Sequence, residues 1–226
     1  MSGASPSRPT GGSPGGRQRA RVLPARPVRS GVVVLAFLLV LYAVELVDQL
    51  SPAADLDGYG ISPRHLDGLD GILWAPLLHD GWGHLISNTV PLLVLGWLAT
   101  SGGLRQFAAV TLTVWLVGGA GTWLVGADSI HIGASGVAFG WMVFLLVRGF
   151  FQRSAGQILA AVVLFFFWGG MLWGLIPGQP HVSWAGHAFG ALGGLLAAWL
   201  VARGDRSTGS RPAGSGPTGS RPAGSG

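Results

Sequence analysis

The sequence predicts an all-α polytopic membrane protein, a bundle of six transmembrane helices, on three observations. Of 226 residues, 49% are hydrophobic and only 10% are charged, where soluble domains carry about 25% charged residues, and the mean hydropathy is +0.50. Apolar runs recur along residues 31–203, most of them close to the roughly 20 helical residues that cross a hydrocarbon core. The connections between them alternate between arginine-bearing and arginine-free, the pattern of a chain that threads back and forth with its positive loops inside.

Taken in order, residues 1–30 hold Arg8, Arg17, Arg19, Arg21, Arg26 and Arg29 among Ser, Pro and Gly, with no acid. Too few apolar side chains lie there to offset the entropy of ordering them, which predicts a disordered basic N-terminal tail. A cleaved signal peptide fits less well, since the following apolar run is too long and lacks an A-x-A site. That run, Gly31 to Leu50, is the first span, and Glu45 and Asp48 near its end are expected to reach the interface. Residues 51–83 form a long loop with Asp55, Asp57, Asp67, Asp70 and Asp80 against the single Arg64. Trp74 and Trp82 suit a headgroup-level position, so this loop is expected to lie in the outer interface.

Five further spans follow at about Gly83 to Ala99, Phe107 to Val125, Ser135 to Val147, Ile158 to Leu175 and Trp184 to Val201. Arg105, Arg148, Arg153, Arg203 and Arg206 mark one side; Asp128 and the turn from Pro177 to Pro180 mark the other. Both termini are thereby expected in the cytoplasm and the acidic loop outside. Residues 204–226 repeat Thr-Gly-Ser-Arg-Pro-Ala-Gly-Ser-Gly from Thr208 and from Thr218, a low-complexity tail that cannot build a core. Residues 31–203 are then the membrane domain.

The composition also excludes function classes. Cysteine is absent, which removes disulfides, thiolate metal sites and a cysteine nucleophile. The net charge of +5 comes from arginines in tails and short connections, where membrane topology places them, so no nucleic-acid partner is expected.

Helical rise brings three polar clusters to one depth. Ser135 lies thirteen residues from Arg148, roughly 20 Å at about 1.5 Å per residue, so its helix begins below the outer surface of a core about 30 Å thick. Residues 126–134 must therefore dip into the membrane as a re-entrant loop, a conformation tolerated only inside protein or beside a watery cavity. Gly126, Gly133 and Gly136 are expected to supply its freedom. His187, sixteen residues from Arg203, reaches roughly 24 Å by the same count. Gly186, Gly190 and Gly194 give its helix a small-xxx-small face, matched by Gly136 and Gly140 on the serine helix. His84 and Asn88, four apart, project together at the outer end of the second span.

A serine hydroxyl needs a base to take its proton, and histidine suits that work near neutral pH. His187 fills the role if its ring reaches Ser135. His84, Asn88 and the N–H groups at the start of the Ser135 helix can then donate to an oxyanion. Asp128 has no spacing that ties it to His187, so a dyad without an acid is favoured. A metal centre ranks low: His79 and His84 are five apart, and no carboxylate completes a ligand set.

These residues resemble the signature motifs of the rhomboid intramembrane serine proteases: Gly133-Ala134-Ser135-Gly136 with Gly140, Gly186-His187 with Gly190 and Gly194, and His84 with Asn88 after His79. The resemblance covers about residues 31–203. It implies a six-helix rhomboid-like bundle and a Ser135–His187 dyad cleaving single-span transmembrane substrates near their outer end, with no cofactor. It likewise implies that His84 and Asn88 are the oxyanion donors and that His79 is structural. Two features depart from the family pattern. Trp74 is followed by Ala75, where many members show a Trp-Arg pair, and Gly186 stands where many have Ala. A bacterial inner membrane fits the short loops. Two other classes share the polar helices: a transporter or channel, against which no polar residue continues the path inward, and a non-catalytic binder of membrane clients. The segment Phe165-Phe166-Phe167-Trp168 reads either as a movable wall for substrate entry or as a lipid-facing surface.

Overall fold

The computed structural model describes residues 21–179 and 182–209. Residues 1–20 and 210–226, on which most of both expected tails falls, and Pro180 of the expected turn lie outside the described residues. Among the described residues there are seven α-helices: α1 (Pro27–Leu50), α2 (Gly71–Trp74), α3 (Gly81–Ala99), α4 (Leu104–Val125), α5 (Ser135–Gln152), α6 (Ala155–Trp168) and α7 (Trp184–Gly209). All but the short α2 belong to segments long and apolar enough to cross a bilayer, six in number among the described residues. The protein is thus an integral membrane protein of the predicted six-span, all-α class.

The observed helices overrun the predicted spans where local chemistry allows it. Helix α1 starts at Pro27 because proline's fixed φ suits the first helical position, where its missing N–H is no loss. The sixth span continues through the arginines to Gly209. The fifth does not stay α-helical, since at Gly169-Gly170 it tightens into a 3-10 segment, Gly169–Leu175. Two consecutive glycines remove the side chains that would favour another α-turn.

Helix α5 is the axis of the bundle, packed against α3, α4, α6 and α7. It contributes Trp141, Met142, Phe144 and Leu145 to the core, which Leu41 of α1 and Leu85, Leu92 and Leu95 of α3 complete. Along their glycine stripes α5 and α7 approach backbone to backbone. A Cβ on Gly190 would strike the Gly136 carbonyl, and one on Gly194 the Gly140 carbonyl. The two glycine stripes therefore let the backbones touch, as their spacing predicted.

Glu45 departs from expectation. It does not reach the interface: it is 1% exposed. Val34, Leu38, Leu41 and Glu45 form one buried stripe along α1, at spacings that keep them on a single face. That face turns toward α3, so the carboxyl is carried into the protein by its position on the stripe.

The loop between α1 and α3 wraps one end of the bundle in short 3-10 turns and α2. It is stitched to the rest through backbone atoms. Trp115 Nε1 donates to the Ile72 carbonyl at 2.9 Å and Trp123 Nε1 to the His65 carbonyl at 2.8 Å, while Arg64 Nη1 donates to the Gly126 carbonyl at 2.7 Å. Trp74 and Trp82 stay exposed.

Candidate active site

The segment that precedes Ser135 is held from the side of this loop. Ile61 and His131 exchange both backbone hydrogen bonds, at 3.0 and 2.9 Å, as an isolated antiparallel bridge. Gly133 N donates to the Ala75 carbonyl at 2.8 Å, and Ala134 N donates to Nε2 of buried His79 at 3.3 Å. Each bond satisfies a backbone group in a segment that no helix pairs. Gly133 has φ +115°, a conformation that only glycine adopts without strain. Gly126 and Gly136 do not supply freedom of that kind, having no positive φ. Their use is close approach: a Cβ on Gly136 would lie 2.9 Å from the Gly186 carbonyl, and one on Gly126 would lie 2.8 Å from His131 Nε2.

Ser135 is the first residue of α5, and no side chain caps this helix. The first-turn N–H groups of Ser135, Gly136 and Val137 consequently have no acceptor within their own helix. Ser135 Oγ lies 2.8 Å from His187 Nε2. The other ring nitrogen, Nδ1, lies 2.9 Å from the Gly174 carbonyl. A carbonyl only accepts, so Nδ1 carries the proton and Nε2 presents its lone pair to the serine hydroxyl. The imidazole is 8% exposed and stacks on Phe139 with centroids 4.1 Å apart and planes 9° apart. Phe139 is four residues after Ser135, so the helical repeat that carries the serine also carries the surface on which the His187 ring lies.

His84 approaches from α3. Its Nδ1 accepts the Asp80 N–H at 3.3 Å, which leaves the ring proton on Nε2 in the neutral form. The ring lies against Gly133, where a Cβ would meet His84 Cε1 at 2.7 Å and Nε2 at 2.9 Å, with Ser135 Oγ 3.8 Å away. Asn88 is buried, and its Nδ2 donates to the His84 carbonyl at 3.2 Å. His79 and His84 meet edge to face with centroids 5.1 Å apart.

Ser135, His187 and His84 therefore converge at the end of the bundle that the α1–α3 loop covers, with Asn88 one helical turn from His84. Asp128 is exposed in the loop, and the atom that orients His187 is the Gly174 carbonyl. That partner had no sequence signal, since a backbone carbonyl is present at every position. Phe139 did have one, in its spacing from Ser135.

The Rhomboid domain family matches residues 69–204. An uncharacterized protein of Mycobacterium tuberculosis is 48% identical over 190 residues, covering 80% of this chain and 79% of its own length. A Mycobacterium leprae protein, also uncharacterized, is 46% identical over 187 residues, 79% of this chain and 74% of its own. A Bacillus subtilis protein named "Putative rhomboid protease YdcA" is 28% identical over 130 residues, 56% of this chain and 64% of its own.

Proposed function

The chain belongs to the rhomboid family of intramembrane proteases, and from that premise we propose that it is a serine endopeptidase using a Ser135–His187 dyad on transmembrane substrates. The observation that carries this reading is the 2.8 Å contact between Ser135 Oγ and His187 Nε2, with Nδ1 held on a carbonyl. Ser135 attacks the scissile carbonyl while Nε2 takes its proton. The imidazolium keeps its Nδ1–H on the Gly174 carbonyl and then delivers the Nε2 proton to the leaving amine. The oxyanion is received by His84 Nε2–H, by an Asn88 amide hydrogen and by the open N–H groups at the start of α5, where the helix dipole also favours negative charge. Water entering from the outer end releases the acyl group by the same steps, and no cofactor takes part.

Substrates are single-span membrane proteins whose helix approaches through the bilayer and unwinds near its outer end. The enzyme sits in a bacterial inner membrane with both termini in the cytoplasm. The arginines at the starts of α1 and α4 and the end of α5 support this orientation. Phe165, Phe166 and Phe167 all face outward, Phe166 at 82% exposure, which supports the lipid-facing reading of that segment.

The reading is tested in proteoliposomes that hold the full chain and a reporter with one membrane helix. Ser135→Ala is expected to abolish cleavage and labelling by a fluorophosphonate while the protein still inserts and purifies. Cleavage by Ser135→Ala at the wild-type rate would refute it.

A further inference from the structure

We propose that His131 is a positioning residue for catalysis: by bonding the Ser183 hydroxyl it locks the first turn of α7, and with it His187, onto the segment that carries Ser135. The inference rests on the dyad reading above and adds to it the device that sets the dyad's distance.

The two segments are joined twice at matching intervals. His131 is four residues before Ser135, and Ser183 is four residues before His187. His131 Nδ1 lies 2.8 Å from Ser183 Oγ, as His187 Nε2 lies 2.8 Å from Ser135 Oγ. His131 Nε2 lies 3.0 Å from the Ala127 carbonyl. That carbonyl only accepts, so Nε2 carries the ring proton and Nδ1 accepts the hydroxyl proton of Ser183. Ser183 Oγ in turn accepts the Gly186 N–H at 3.2 Å, and the Ser183 carbonyl accepts the His187 N–H at 3.0 Å. Every donor in this chain is thereby assigned, from Ala127 through His131 and Ser183 to the residue next to the base. Ser183 is the N-cap of α7, and His131 fixes where that cap sits.

His131 is itself anchored by its backbone and by burial. Its backbone forms the two-bond bridge to Ile61, and its ring is 7% exposed. Gly126 leaves the room that the ring occupies, since a Cβ there would crowd Nε2. Burial holds the imidazole below the usual histidine range, which keeps Nδ1 available as an acceptor. The clamp matters because α5 and α7 both begin at the site. Their glycine contacts set the spacing from Gly136 and Gly190 inward. At the outermost turn the link is made by side chains, and a misplacement of about 1 Å costs on the order of a hundredfold in rate.

The test uses the full chain in proteoliposomes, with kcat expressed per fluorophosphonate-labelled site and unfolding midpoints measured alongside. His131→Phe keeps the ring and loses both bonds; about a tenfold to hundredfold fall in kcat is expected, with KM unchanged. His131→Asn, whose amide oxygen takes the place of Nδ1, recovers most of it. Ser183→Ala behaves like His131→Phe and Ser183→Thr recovers, so the serine pair decides the matter if His131→Phe does not fold. The double variant His131→Phe/Ser183→Ala is expected to be no slower than the slower single variant. Full per-site kcat in both His131→Phe and Ser183→Ala, or a double variant whose loss is the product of the two, overturns the clamp and leaves the protease reading standing. Wild-type cleavage by Ser135→Ala overturns the protease reading itself.

Discussion

His187 is oriented by a backbone atom, and this decides which substitutions reach the base. No side-chain replacement removes the Gly174 carbonyl, but one can push the ring away from it. A Cβ on Gly174 would lie 2.7 Å from His187 Nδ1 and 3.1 Å from both Cε1 and Phe139 Cζ. Gly174→Ala is therefore expected to displace the imidazole from Ser135 and lower kcat by about a hundredfold, measured per labelled site, while KM for the reporter changes little. His79 makes a different prediction. Burial, reinforced by the neighbouring His84, pushes it down to about 4, which keeps Nε2 free to accept the Ala134 N–H. An unfolded chain takes up the proton near the ordinary histidine value of about 6.5. The contribution of His79 to stability is thus complete above about pH 6.5 and is lost as pH falls toward 4. Unfolding in detergent across that window is expected to show a steeper loss for the wild type than for His79→Gln, which keeps an acceptor and does not titrate. The pairing of Ser135 with His187 was legible in the sequence because both side chains sit beside glycines at comparable counts from Arg148 and Arg203. The orienting carbonyl was not, because it belongs to no side chain.

Helices α5 and α7 show how far spacing alone reaches. Glycines at intervals of four announced that two backbones would meet, and they do, through Gly136, Gly140, Gly190 and Gly194. The Gly136 carbonyl stands where a Cβ on Gly190 would go, and a backbone cannot swing aside as a long side chain can. Gly190→Ala is expected to cost about 1–3 kcal/mol of stability, the usual range for an overpacked core, and to widen the gap between Ser135 and His187. Gly204→Ala on the same helix meets open space and serves as the control; equal unfolding midpoints for the two variants would refute the contact argument. Residue counts bring Ser135 and His187 to one level, and the two side chains do meet, whereas nearness to the helix end does not decide where Glu45 points. Its place on the stripe of Val34, Leu38 and Leu41 was in the sequence and outweighs its nearness to the helix end. The 3-10 turn after Trp168 had a signal in Gly169-Gly170, whereas its use, to present Gly174 to the base, depends on tertiary packing.

At the scale of the molecule, six crossings return the chain to the side on which it began, so the α1 start and the α7 end share a face and the loops bearing His79 and Asp128 share the opposite one. The site opens on the second face, because Ser135 and His187 stand in the first turns of helices that start there. Charge then sets which face is which. Arg21, Arg26, Arg29, Arg105 and Arg153 lie exposed on the first face, and Asp55, Asp67, Asp70 and Asp128 lie exposed on the second. On the proposed orientation the arginine-rich face is the one retained in the cytoplasm, so the candidate site faces outward and would act on the external half of its substrates. The chain contains no cysteine, so single introduced thiols report without background. Ala25 and Asp67 are both exposed and lie on opposite faces. In intact cells an impermeant maleimide is expected to label Asp67→Cys and to spare Ala25→Cys until the membrane is broken. Labelling with the opposite preference would invert the orientation and place cleavage on the cytoplasmic side, leaving the dyad itself untouched.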